Sequence, residues 1–249
     1  MIPTVVPTMI DPARLGDGVP PSPRPSDDRP SSYVSALRRI RNQPPAARAG
    51  ERCEMCAQPI ADEHRHVVDL RDRSLLCTCR ACGLLFTNDG AAGGRYRSVP
   101  ERYATVGDFA LTSAQWESLQ IPVAIAFFFH NSDMGATAAF FPSPAGATEC
   151  LLPLDVWGEV EAANPVATSL EPDVEALLVR ISSVSDRDGT ADGIECFIVP
   201  IDACYELVGH LRTRWRGFDG GREVHDQMTA FFDDVRRRAR PISRAHVRG

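Results

Sequence analysis

Cysteine and histidine crowd into one stretch of this 249-residue chain, RCEMCAQPIADEHRHVVDLRDRSLLCTCRACGLLF, from Arg52 to Phe86. Within it, Cys53-Glu-Met-Cys56 and Cys79-Arg-Ala-Cys82 are two C-x-x-C pairs separated by 22 residues. Each such pair is a tight turn presenting two sulfurs, and a hairpin between the turns can fold all four into a tetrahedral thiolate site. The spacing predicts a zinc-ribbon-like module over residues 51–88, with Cys53, Cys56, Cys79 and Cys82 as metal ligands. Thiolate tetrahedra hold zinc, or iron as in rubredoxins, so zinc is the expected ion and iron the alternative. Five cysteines could also ligate an iron–sulfur cluster, but their spacing matches no ferredoxin signature. Cys82-Gly83 has the form of a metal knuckle, whereas the first turn carries Ala57 where glycine is common.

Between the pairs, Asp62 to Leu70 and Ser74 to Cys79 have the pattern of two strands joined at Arg71-Asp72. A turn with two central residues sets Leu70 opposite Arg73, His66 opposite Cys77 and His64 opposite Cys79. Alternation along a strand then puts His64, His66, Cys77 and Cys79 on one face. That is more donors than one tetrahedral ion takes. His64, His66 and Cys77 are therefore candidates for substitute ligands, for groups that orient the ligands, or for a second metal position. The bland alternative is an exposed histidine pair beside a core thiol. Imidazole and thiolate both suit Ni(II), which makes nickel in transit a variant of the same reading.

The rest of the chain has to hold this module. Residues 1–50 form a proline- and arginine-rich tail, expected to be disordered apart from a short helix at Ser31 to Asn42. Residues 89–100 are glycine-rich and read as a linker, and residues 101–249 as an α+β domain. Strands are predicted at Val123–His130, Ala136–Phe141, Thr148–Leu152, Val174–Ser182 and Ile194–Val199, with a polar turn at Ser185–Gly193. Thr112-x-x-Gln115 resembles a capping box, and Pro153–Ala163 carries a helical stripe. Asp202 can cap a helix whose apolar face is Cys204, Leu207, Val208, Leu211 and Trp215. A last helix shows Val224, Met228, Phe231, Phe232 and Val235 and ends in Arg236-Arg237-Arg238, which suit a helix C-terminus. The expected architecture is α+β: the metal module, then an antiparallel sheet of about five strands covered by helices.

Composition narrows the chemistry. Every one of the 27 basic residues is arginine, so neither a Walker-A lysine nor a Schiff-base lysine exists. No nucleophile elbow, HExxH motif or defensible Cys/His pair appears, and Cys150, Cys196 and Cys204 read as core thiols. These features point away from an enzyme. The formal net charge is −6, with the acidic excess after residue 100, which argues against generic binding to nucleic acid or anionic membrane. No apolar run approaches the roughly 20 residues of a membrane span. The N-terminus lacks the pattern of a signal peptide, so a cytoplasmic location is expected, where close cysteines favour metal over disulfide.

At CEMC, EHRHVVDL, CTCRACGLLF, FFPSPAGATE and DACYELVGHLRTRWRGFDGG, the chain resembles an uncharacterised family of unknown function. Its genes sit beside nickel-iron hydrogenase structural and maturation genes in aerobic actinobacteria. The resemblance covers most of the chain after Arg52 and brings no catalytic residue with it. It implies an accessory role in hydrogenase assembly or maturation, with hydrogenase subunits or maturation factors as protein partners. Two other readings compete: a rubredoxin-like iron electron carrier and a nucleic-acid-binding zinc ribbon. The second is weak, because the module lacks interleaved basic and aromatic residues.

Overall fold

Alternating strands and helices build two sheets, and the cysteine-rich stretch belongs to the smaller one. The computed structural model describes residues 50–181, 193–214 and 221–246. The expected tail with its short helix, residues 185–192 of the expected turn and Trp215 lie outside these. The small sheet has three antiparallel strands, β1 (Arg65–Asp69), β2 (Ser74–Thr78) and β3 (Tyr96–Ser98), in the order β2-β1-β3. The large sheet has seven: β4 (Ala104–Val106), β5 (Ile125–Asn131), β6 (Ala136–Ser143), β7 (Gly146–Cys150), β8 (Glu175–Ile181), β9 (Ile194–Pro200) and β10 (Arg240–Ile242). Their order is β10-β4-β9-β8-β5-β6-β7. All pairs are antiparallel except β10 with β4.

Strand β5 shows why the large sheet is covered on both faces. Its apolar run does not alternate with polar residues, and neighbours such as Phe127 and Phe128 are both buried while pointing to opposite sides. Phe128, Leu177, Val179 and Ile198 pack beneath Trp116 of α2 (Ser113–Ser118) and Trp157 of α3 (Leu154–Ala163). Phe128 and Trp157 stack with ring centroids 4.4 Å apart. On the other side Phe127, Leu178, Phe197 and Val199 lie against α4 (Ile201–Arg214) and α5 (Gly221–Arg238) through Leu207, Leu211 and Phe232. Val68 and Leu75 of the small sheet join this second core, so the hairpin docks on the side of the C-terminal helices.

The result is an α+β fold in which the five expected strands and the helices expected after residue 100 are present, with three differences. The large sheet is mixed, because the three-residue strands β4 and β10 pair in parallel at one edge. Such short segments have no readable period, and Pro241 argues against a central strand but is tolerated at an edge. Residues 89–100 are more than a connector: a 3₁₀ helix at Ala91–Gly94 leads into β3, the third strand of the small sheet. Leu84-Leu85-Phe86, read as the close of the ribbon, instead run off the end of a short helix, α1 (Arg80–Leu84), whose C-cap is Leu85. Among the described residues no helix is long and apolar enough to cross a membrane.

Candidate metal centre

The hairpin that carries the site is fixed at its turn. Asp69, buried at the end of β1, accepts hydrogen bonds from the backbone N–H of Arg71 and Asp72. It also receives both donor arms of Arg95 at 2.6–3.2 Å. The Arg95 guanidinium holds the Asp69 carboxyl down at about 2, although burial alone would raise it. Arg73 closes the turn in the left-handed region at φ 50°. Register follows from this: Asp69 pairs with Ser74 and His66 with Cys77, as the two-residue turn predicted. The ladder stops at Arg65 and Thr78, so His64 and Cys79 lie just beyond it.

Two knuckles flank the hairpin. In the first, the Cys53 N–H donates to Gln58 O at 2.8 Å and the Ala57 N–H to Cys53 O at 2.8 Å. Ala57 takes the left-handed conformation, φ 60°, that glycine would adopt without strain. In the second, Cys79 is the N-cap of α1, and its sulfur accepts the Cys82 N–H at 3.4 Å. Gly83 is needed here for space, since a Cβ would meet Arg65 Cδ at 3.0 Å and Arg65 Cβ at 3.1 Å.

The knuckles bring the sulfurs of Cys53, Cys56, Cys79 and Cys82 within 4.8 Å of one another. A tetrahedral centre with metal–sulfur bonds of about 2.3 Å has sulfurs about 3.8 Å apart. Cys56 Sγ and Cys79 Sγ are 3.7 Å apart, so the donor set fits such an ion. Cys53 is buried and Cys56 exposed, which puts the cluster at the protein surface with one edge open. The thiols share the proton inventory of one cluster. Burial and the neighbouring thiols push Cys82 up to about 12. At Cys53 burial also raises the pKa, but the backbone groups of Cys79, Cys56 and Met55 outweigh it and bring it to about 6. A metal ion held by Cys53, Cys56, Cys79 and Cys82 would take them as thiolates, with release of their protons.

Residues 52–239 match a family of unknown function, DUF5947. The chain belongs to that family. The DUF5947 match begins one residue before Cys53 and runs past the large sheet's central strands to Ala239, so it contains both knuckles and the hairpin. Neither a curated protein nor a solved structure matches the chain.

The chain's remaining candidate residues separate into a second group and three core thiols. His64, His66 and Cys77 each offer a ligand atom within 4.8 Å of the other two, whereas Cys79 turns to the four-sulfur cluster. Cys196 and Cys204 are buried in the large sheet and α4, and burial pushes their thiols well up. The half-buried Cys150 donates to Leu119 O at 3.4 Å. The two arginines beside the glycine-rich run are engaged in ion pairs. Arg95 holds Asp69 and Asp72, and Arg97 holds Asp89.

Two residues at the site escaped sequence reasoning. Glu54, inside the first C-x-x-C, brackets Cys77: its N–H donates to Cys77 O at 2.9 Å, and its carboxylate accepts the Cys77 N–H at 2.6 Å. Asp202, read as a helix cap, accepts the His66 Nδ1–H at 2.7 Å from 136 residues away. The sequence separation hides that contact. Glu54 had a readable signal, since a carboxylate between two knuckle cysteines faces whatever the hairpin brings alongside.

Proposed function

We propose that this chain is a metal-binding, non-enzymatic accessory protein that acts through protein contacts in the assembly or maturation of nickel-iron hydrogenase. Zinc in the Cys53, Cys56, Cys79 and Cys82 site would cross-link the knuckles as a structural centre without redox chemistry. The observation that carries the reading is a four-sulfur cluster beside two exposed leucines. Leu84 and Leu85, which follow Cys82 after the single residue Gly83, are 49 % and 67 % exposed. Apolar side chains next to a rigid metal knuckle suit a surface that a hydrogenase subunit or maturation factor covers. The resemblance to a family encoded beside hydrogenase genes supplies the partner class. Partners are expected in the cytoplasm.

The test is deletion of the gene in a host that makes the hydrogenase, with complementation by wild type and by Leu84→Ser/Leu85→Ser. The reading expects immature hydrogenase in the deletion strain, restored by wild type and not by the variant. Normal hydrogenase in the deletion strain would refute it.

A rubredoxin-like electron carrier is the second reading, favoured by the exposure of Cys56, since electron transfer needs one ligand near the surface. It requires iron, a visible thiolate-to-metal absorption and reversible reduction.

A further inference from the structure

The second group of donors has the features of a site in its own right. His64, His66 and Cys77 bring one ligand atom each within 4.8 Å of the others, and the two imidazole rings lie 4.7 Å apart at 55°. Both rings are already held through Nδ1. His64 Nδ1 donates to Ala61 O at 2.9 Å, with Asp62 O at 3.1 Å, and His66 Nδ1 donates to Asp202 Oδ2 at 2.7 Å. A histidine whose Nδ1–H is given to a carbonyl or carboxylate presents the lone pair of Nε2, the arrangement that orients metal-binding imidazoles. The decisive atom is His64 Nε2. Its side chain is 9 % exposed, and this nitrogen is buried with no hydrogen-bond partner among the described residues. A buried ring nitrogen left without a partner costs free energy unless something coordinates it.

Charge around the group favours a cation. The Glu54 carboxylate is bonded to the Cys77 N–H, Glu51 Oε2 lies 3.6 Å from His64 Nδ1, and Asp202 is bonded to His66. His64, His66 and Asp202 also line a cleft of about 1200 Å³ between the hairpin and the first turn of α4.

We propose that His64 and His66, through Nε2, and Cys77, through its thiolate, form a second metal site whose fourth position opens to this cleft. Two imidazoles and one thiolate select a borderline divalent transition metal such as zinc, nickel or cobalt. Three protein ligands with one position free describe a centre that exchanges its ion or takes an outside ligand, in contrast to the closed four-sulfur cluster. Asp202 is the positioning residue, and it comes from the first turn of α4. The site is therefore complete only when the hairpin is docked on α4. Glu54 ties Cys77 to the first knuckle, so the two sites are coupled and filling the four-sulfur cluster preorganises the second site.

The experiment is zinc and cobalt(II) titration of the full-length, metal-stripped, reduced protein, read by native mass spectrometry and by the cobalt–thiolate absorption. Wild type is expected to take two equivalents, the second removed quickly by a chromophoric chelator and showing a one-thiolate cobalt spectrum. His64→Ala/His66→Ala/Cys77→Ala is expected to take one. Asp202→Asn keeps all three ligands and should weaken the second equivalent by about 10–100-fold, leaving the first unchanged. If the triple variant misfolds by circular dichroism, Cys77→Ser and Asp202→Asn carry the test. Wild type binding one equivalent that these substitutions do not alter, or a second equivalent that survives them, would overturn the proposal. Binding of one equivalent lost in Cys77→Ser but kept in Cys53→Ser would instead sink the four-sulfur reading and leave this one standing.

Discussion

Single residues at the knuckles and turn set the geometry on which everything else rests. Ala57 occupies a left-handed conformation at φ 60°, which costs an L-residue about 1–2 kcal/mol, partly offset on substitution by the greater unfolded-state freedom of glycine. Ala57→Gly is expected to stabilise the protein by about 0.5–1 kcal/mol, seen as a higher Tm with metal content unchanged. Gly83→Ala goes the other way, because the new Cβ would press on Arg65 Cβ and Cδ; a loss of about 1–3 kcal/mol is expected in chemical denaturation. Asp69 supplies a pH signature. Arg95 lowers its folded pKa to about 2 from an ordinary 3.8, so its stabilisation is fully present above about pH 4 and is lost as the pH falls through 2. The Tm difference between wild type and Asp69→Asn should accordingly narrow between pH 5 and pH 2; a constant difference would show that the Arg95 contact does not control it.

At the scale of elements, the hairpin was the most legible part of the chain. Its register followed from a turn at Arg71-Asp72 and the period of two, and His66 does face Cys77. Strand length was overestimated, because residues 61–64 bend to meet the His64 ring, a local contact that no alternation reveals. The capping box was equally readable: Thr112 Oγ1 accepts the Gln115 N–H at 3.1 Å, and Gln115 Oε1 accepts the Thr112 N–H at 3.0 Å. Thr112→Ala should cost about 1 kcal/mol in global stability while leaving the metal clusters untouched. By contrast, β3 hid inside a glycine-rich run, because its place depends on Arg95 reaching Asp69 across 26 residues. The role of Asp202 was hidden for the same reason. Local pattern predicts elements; it does not say which distant carboxylate a histidine will find.

For the whole molecule, the small sheet is no independent appendage. The described residues from Gly50 onward form one compact unit, and Val68, Leu75 and Val99 belong to the same core as α4 and α5. Metal at the four cysteines should therefore stabilise the entire unit, since an ion that binds only the folded knuckles raises global stability by mass action. The measurement that tests the central claim most directly is the metal content of the purified, chelator-treated protein, by native mass spectrometry with a visible spectrum, for wild type and Cys53→Ser/Cys82→Ser. One colourless, chelator-resistant zinc in wild type, lost in the variant together with a clear drop in Tm, is the predicted result. A protein without tightly held metal, a coloured iron form, or a zinc retained by the variant would contradict it.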